Sequence, residues 1–579
     1  MPTTPNRHGR ALVELLRPDA WRWLALGGVL AVGSALQIVG PLIIRLVVDH
    51  ATDGATTGEI TRLAIAFLVV ALAAQAVAVF VAWFATSTAW RTTNQIRMRM
   101  ARHVLGLDHE FHRRHTPGEL ISRVDGDVTS VSDFLGEVVP TVASAAFLVT
   151  GMLGVLGVLD WRVALGGLAY VVVSVLAVLR GRDHAVAEAS EEMSALARLY
   201  GGIEERLTAA EDIRANGAGG HALWRFVEDS SGAVRSGLRR ERAFLRLWWS
   251  VQAAVAAGSV LSLVASAWLL ARGSITIGTA FLLFQYTLLL KRPLEDVVQQ
   301  LETMQKASGA MRRVVDLLAI QPTIRDEGTM SPPAGALSVS LRTVDFEYDD
   351  ERSVLHNVDL ELAAGRSLGI VGRTGSGKTT LSRLILRLVE ASSGTVLLGG
   401  VALADIPLRE LRHRVAMIPQ EVELIAGSVR DNVTLFDQSP SDDAVAEALR
   451  RVGLASLAQD VHRQLGSAGV GLSAGEAQLL ALARVWVRQP DLVVLDEATA
   501  RIDPRTEALL EAAVEEMMVG RTVIVIAHRL STLHRMDEIL VLDHGRVVEH
   551  DTRERLVALG TSHFRRLLAL ALDDESATP

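Results

Sequence analysis

The segment Gly372-Arg373-Thr374-Gly375-Ser376-Gly377-Lys378-Thr379 carries the densest chemistry in the 579-residue chain. Its spacing is GxxxxGK[ST], with the apolar run Leu368 to Val371 before it and a helix-forming run, Thr380 to Leu388, after it. A glycine-rich turn between strand and helix aims backbone N–H groups at a phosphate chain, and the helix N-terminus adds its positive end. In such a cradle Lys378 reaches the outer phosphates, the Thr379 hydroxyl is placed for Mg2+, and Thr380 opens the helix behind them. Only three lysines occur, Lys291, Lys306 and Lys378, among 58 Lys and Arg, so abundance does not explain a lysine here. Downstream, the apolar run Leu492 to Leu495 closes on Asp496 and Glu497. Asp496 suits a magnesium shell and Glu497 the polarisation of an attacking water. Taken alone, the pair also reads as an acidic strand end that caps a helix. His528 follows another apolar strand, Val523 to Ile526, and is a candidate contact for the outer phosphate or that water.

These groups need a sheet to line them up, and the sequence from 336 to 579 supplies one. Strand patterns run from Leu337 to Tyr348, Leu360 to Leu362, Ser367 to Val371, Thr395 to Leu398, Val415 to Ile418, Leu492 to Leu495, Thr522 to Ile526 and Ile539 to Leu542, alternating with helical stretches. That alternation predicts an α/β domain. Pro322, Gly328, Pro332, Pro333 and Gly335 mark a linker over 319–335.

The first half is a different material. Hydrophobic residues make up 49% of the chain against 21% charged, and the apolar excess lies before residue 319. After a cytoplasmic segment over 1–20, six windows suit membrane spans: Trp21 to Val48, Leu63 to Thr86, Val138 to Leu159, Val163 to Leu179, Leu247 to Leu270 and Ile277 to Leu290. Arginines crowd the N-terminal segment and two long loops, 87–137 and 180–246, whereas Asp49, Asp53 and Glu59 follow the first span. The positive-inside rule puts both termini and both long loops in the cytoplasm. The loops are rich in helix formers, so spans two to five are expected to continue as helices well beyond the bilayer. The N-terminal apolar run is too long for a cleavable leader. A net charge of −8 gives no footprint for nucleic acid, and the absence of cysteine excludes disulfides and thiol chemistry.

In order and spacing these residues resemble the ATP-binding cassette family, and the resemblance covers nearly the whole chain. It implies a six-span α-helical membrane domain over 21–318 fused to an α/β P-loop ATPase, a half-transporter of the exporter fold, with ATP and Mg2+ as cofactors. By that resemblance Leu472-Ser473-Ala474-Gly475-Glu476 is the signature loop, with Ser473 and Gly475 its phosphate contacts. Gln420 is the Q-loop glutamine, at the metal and the attacking water; Tyr348 stacks on adenine; Asp503 belongs to the D-loop; His528 is the switch histidine. Helical turns near Asp127 to Val131 and Glu211 to Ala215 would couple the membrane helices to the cassettes.

The signature departs from the family's LSGGQ at Ala474 and Glu476, and Gly466-Ser467-Ala468-Gly469 lacks the acidic residue usual there. Because one cassette's phosphate loop works against another's signature, the chain is expected to pair. Intact Walker residues beside a weakened signature favour a second, different half-transporter over a homodimer whose signature is a tolerated variant. No charge sits in the middle of a span, which disfavours ion coupling. The expected substrate is a small hydrophobic or amphipathic solute or a lipid, moved across the cytoplasmic membrane, most simply outward. An importer on the same fold and a nucleotide-gated regulator or channel are the alternatives. His109, His112 and His115 repeat at helical spacing and are read as a solvated face before a metal site.

Overall fold

The computed structural model describes residues 17–348, 352–466, 472–496, 504–527 and 530–576. Thr57–Leu105 shows how sequence becomes architecture here. Thr56 and Glu59 form a capping box at its start, and no breaker interrupts it for 49 residues, about 74 Å at 1.5 Å per residue. In its first half Phe67, Leu68, Leu72, Val79 and Phe80 are exposed, as a lipid-facing surface requires. In its second half Ala85, Thr88 with Ala89, Thr92 with Thr93, Ile96, Met100 and Val104 are buried, recurring every three to four residues, the stripe of a helix packed in protein. Trp161–Thr208 and Gly219–Ala271 run for 48 and 53 residues, so the expected extension of the spans beyond the membrane is present. These two helices approach closely where side chains are small. A Cβ on Gly258 would stand 2.2 Å from the Tyr170 ring, and one on Gly181 2.6 Å from Leu247.

Among the described residues, five segments are long and apolar enough to cross a membrane: Arg17–Thr52, Thr57–Leu105, Pro117–Leu159, Trp161–Thr208 and Gly219–Ala271. The expected sixth span is jointed. Ile277–Leu289 covers 13 residues and is followed by separate helices Lys291–Gln299 and Leu301–Ala319. Pro293 explains the first joint: it lacks the N–H that would bond the Leu289 carbonyl, and its ring crowds that same carbonyl.

The chain divides into two compact units, one comprising Met1–Gly106 and His115–Gln321, the other Leu107–Arg114 and Pro322–Pro579. An eight-residue piece of the first long loop thus belongs with the cassette. This corrects the expected first coupling turn. Asp127, Val128 and Val131 are buried inside the membrane unit, where the Arg313 guanidinium clamps Asp127 with Nε at 2.9 Å and Nη2 at 2.5 Å. The loop piece in the cassette unit is instead the short helix His109–Arg114. Its anchor is Asp108, whose carboxylate accepts from the Thr323 hydroxyl at 2.6 Å. The second expected turn is present as Ala210–Ala215, with no residue buried.

In the cassette, six strands form a mixed sheet: β1 (Ser367–Val371), β2 (Val415–Ile418), β3 (Leu492–Asp496), β4 (Thr522–Ile526), β5 (Glu538–Asp543) and β6 (Arg546–Thr552). The order across the sheet is β6-β5-β1-β4-β3-β2, with β6 antiparallel at one edge and the other five parallel. Strands β1, β3 and β4 are buried along their whole length, which accounts for their near-continuous apolar sequences. A second sheet, led by Val339–Tyr348 paired to Arg352–Leu362 and Ser393–Leu398, is antiparallel. The polar strand Arg546–Thr552 has no apolar signature, and sequence reasoning did not expect it. The 322–335 stretch is fastened rather than loose. Met330 donates to the Asp405 carbonyl at 2.8 Å, the Ser331 hydroxyl to Glu410 at 2.7 Å, and Gly328 lies where a Cβ would meet the Ile406 backbone at 2.4 Å.

Candidate functional site

Parallel strands deliver their carboxyl ends to one edge of a sheet, and ligands gather there. The registers Ile370 with Ile526, Ile526 with Asp496, and Leu495 with Ile418 make the ends of β1, β4, β3 and β2 level to within about a residue. At that edge stand the phosphate loop after Val371, Asp496 closing β3, and Gln420 two residues past β2. Adjacent strands are about 4.8 Å apart, so the three groups fall on one line about 15 Å long. Residues lying far apart in sequence converge because the sheet reorders their strands.

The loop itself is shaped by glycine. Gly375 and Gly377 hold φ of 81° and 104°, left-handed values that a side chain resists. A Cβ on Gly372 would meet the Leu542 carbonyl at 2.1 Å. The helix Lys378–Ile385 begins at once and ends about a turn earlier than its sequence suggested. Lys378 is buried, and its Nζ donates to the carbonyls of Gly372 at 2.7 Å and Arg373 at 3.1 Å. The Ser376 hydroxyl is buried with no hydrogen-bond partner, an expensive arrangement unless a ligand supplies an acceptor. A buried ammonium, an orphaned hydroxyl and a helix N-terminus together fit a polyanion. Thr380 is buried and Thr379 exposed at the same helix start.

Beside the loop, the Tyr348 hydroxyl lies 3.3 Å from Thr380 Oγ1 and 3.3 Å from an Arg383 amino group. Phe346 braces the ring at 4.8 Å, perpendicular to it. Asp496 is buried at the end of β3, where its carboxylate fits the oxygen-ligand chemistry of Mg2+. Gln420 is exposed, and its backbone carbonyl accepts from Gln478 at 3.4 Å. Three expected site residues, Glu497, Asp503 and His528, lie outside the described residues.

The signature segment is described from Leu472 on. Ser473 caps the helix Ala474–Arg488 in a reciprocal box with Glu476: its Oγ accepts from the Glu476 N–H at 3.2 Å and donates to the Glu476 carboxylate at 3.0 Å, while its N–H donates to the same carboxylate at 2.8 Å. The departure at 476 therefore has a local function in helix capping. Gly475 is buried, whereas Ser473 and Ala474 are exposed.

Sequence reasoning missed one group at this site. Arg113, in the helix His109–Arg114, stands over the Tyr348 ring at 5.0 Å from its centroid. No spacing rule links a loop arginine to a distant tyrosine. The signal that existed was punctuation: Gly106 and Thr116-Pro117-Gly118 bracket the segment as a separate piece.

Comparison with known proteins agrees with this architecture. The profile of the ABC transporter transmembrane region matches residues 23–294, and that of the ABC transporter cassette matches 355–500. An ATP-dependent lipid A-core flippase of Cupriavidus pinatubonensis is 30% identical over 573 residues, spanning 95% of this chain and 94% of that one. The flippase of the same description from Chromobacterium violaceum is 29% identical over 505 residues, 85% of each chain. A putative multidrug export ATP-binding/permease protein of Bacillus subtilis is 25% identical over 535 residues, 90% of this chain and 92% of that one. Among solved structures, a bacterial Atm1-family ABC exporter with ATP bound superposes with a TM-score of 0.82 at 22% identity, covering 97% and 99% of the two chains, which establishes the shared fold. With membrane helices, cassette sheet and phosphate loop in this order, the chain belongs to the ABC transporter family, as a multi-pass membrane protein that couples ATP hydrolysis to transport.

Proposed function

We propose that the chain is one half of an exporter that moves a lipid or lipid-like amphipath across the cytoplasmic membrane, with both termini in the cytoplasm. The observation that carries the substrate class is a cavity of about 630 Å³ in the membrane unit. Its wall comes from Val139–Leu159, Trp161–Thr208, Gly219–Ala271 and Ile277–Leu289, with Tyr170, Ala257, Gly258, Leu261 and Tyr286 among the lining residues. Arg162 is the one charged side chain in that lining, and Trp268 belongs to the same wall. An apolar body with a polar, cationic margin suits a molecule that is itself amphipathic. The lipid flippases and the multidrug export protein among the relatives support the same class and the outward direction.

In this reading Lys378, the loop residues 372–377, Thr379 and Thr380 hold the ATP phosphates, and Tyr348 stacks on the base. Thr379, Asp496 and Gln420 would hold Mg2+, which when bound neutralises phosphate charge. By the family resemblance Glu497 polarises water and His528 and Gln420 assist it, while Ser473, Gly475 and Asp503 serve the facing cassette. The Ser473–Glu476 box supports a weakened signature, because the serine proton is already given to a carboxylate and a negative charge sits where an anion is to be received. That favours pairing with a different half-transporter.

Filling the cavity tests the proposal. In proteoliposomes, Ala257→Trp should abolish ATP-dependent transfer of a fluorescent phospholipid between leaflets while equilibrium ATP binding stays unchanged. Transfer at the parental rate in that variant would remove the cavity, and the substrate class with it.

A further inference from the structure

We propose that Arg113 is a positioning residue for the nucleobase: its guanidinium stands over the Tyr348 ring and holds it in place for stacking, so that base occupancy is tied to the segment Leu107–Arg114. The proposal rests on the reading of Tyr348 as the base-stacking aromatic.

The geometry is that of a cation held in place over a π face. The Arg113 guanidinium carbon stands 5.0 Å from the Tyr348 centroid, inside the range where a cation is attracted by the ring quadrupole. It does not reach there as a loose side chain. Glu110 grips it from the same short helix, Nε to Oε2 at 3.0 Å and Nη2 to Oε1 at 2.8 Å, a bidentate pair that fixes the plane of the fork. Glu110 also accepts from Arg114 at 3.0 Å, and burial against the neighbouring residues pushes His109 below the usual imidazole range, with Arg383 next in effect. The ring is thus gripped at its hydroxyl by Thr380 and Arg383 and over one face by Arg113.

A ring so held has lost its freedom before the base arrives, and pre-paid ordering appears as affinity. The second consequence is directional. Leu107–Arg114 joins the cassette unit, but the residues on both sides of it in the chain, Gly106 and His115, belong to the membrane unit. Whatever stabilises the ring stabilises that seated segment, and by reciprocity a shift of the segment must alter affinity for the base. Arg113 is therefore a route by which the membrane helices read the base, separate from any route through the phosphates.

The test compares two ligands in the full-length transporter, assembled in its complex and reconstituted in nanodiscs. One is MgATP; the other is magnesium tripolyphosphate, which has the phosphates and no base. Arg113→Ala should weaken MgATP binding about two- to fivefold, leave tripolyphosphate binding unchanged, and raise KM for ATP with kcat preserved. Arg113→Lys, which keeps the charge and loses the planar fork, should recover part of the affinity. In a Tyr348→Ala background, Arg113→Ala should have no further effect. Equal loss for both ligands would place Arg113 on the phosphate loop instead, and tighter MgATP binding would make it a competitor of the base; either overturns the proposal. If Tyr348→Ala alone leaves MgATP affinity intact, the stacking reading fails first. If Tyr348→Ala weakens binding and Arg113→Ala does not, only the present proposal fails.

Discussion

Lys378 illustrates what a single buried charge implies. An ammonium buried in a loop of carbonyls, donating to the Gly372 and Arg373 oxygens, carries a desolvation cost that a phosphate chain offsets far better than neutral carbonyls do. Lys378→Ala should weaken ATP binding at the site built on this chain by roughly ten- to a hundredfold, the range for a hydrogen bond to a charged group. Titration with a fluorescent ATP analogue checks this, and unchanged affinity would detach the lysine from the phosphates. This residue was legible in the sequence because phosphate chemistry requires contiguous glycines, lysine and hydroxyl at fixed spacing. Arg113 was not, because its partner is supplied by folding. The roles of Tyr348 and Gln420 came from family resemblance, since a lone aromatic or amide carries no pattern of its own.

At the level of elements, the region Pro117–Leu159 departs from regular α geometry in two π-type stretches, Ser122–Asp127 and Phe134–Val138. Such wide turns re-aim side chains, and here the first ends at Asp127, which Arg313 of the helix Leu301–Ala319 receives. The arginine is about half exposed and the carboxylate nearly buried, so losing the arginine costs more than losing a surface pair. Arg313→Ala should destabilise the protein by about 1–3 kcal/mol, the cost of stranding a buried acceptor, and should lower Tm by a few degrees in detergent. No change in Tm would mean that Asp127 finds water or another donor. The long helices were readable from uninterrupted helix-forming runs. The seated piece of the first loop was misplaced by about twenty residues, because helix propensity is equally high on both sides of it and the difference lies in which face finds a partner. The strand Arg546–Thr552 escaped notice for a related reason: as an edge strand it has little apolar alternation to show.

At the scale of the whole molecule, one chain carries one phosphate loop and one signature, so in the proposed pairing turnover reports both halves. If the partner is a different half-transporter, Ser473→Ala in this chain should reduce the ATPase activity of the complex by less than about twofold, and Glu476→Gln should chiefly lengthen ATP residence on the partner, by the several-fold expected for removing a charge from a helix start. A homodimer would lose most of its activity on Ser473→Ala, since every site would use that serine. Purification of this chain alone, with ATPase measured for both variants, separates the two arrangements.

The joints at Leu290 and Gln300 give the molecule an uneven mechanics. Three of its helices are uninterrupted rods of 48 to 53 residues, and a rod passes a displacement from one end to the other with little loss. The covalent path from the last span into the cassette is instead interrupted twice, into segments of 13, 9 and 19 residues. The backbone stays helical at both interruptions and keeps a bond to the fourth residue back, from Leu290 to Tyr286 and from Gln300 to Asp296. Only around Pro293 is a rung of the ladder missing, so a bend costs least there. The peptide chain that tethers membrane to motor is thus most compliant within its first two segments.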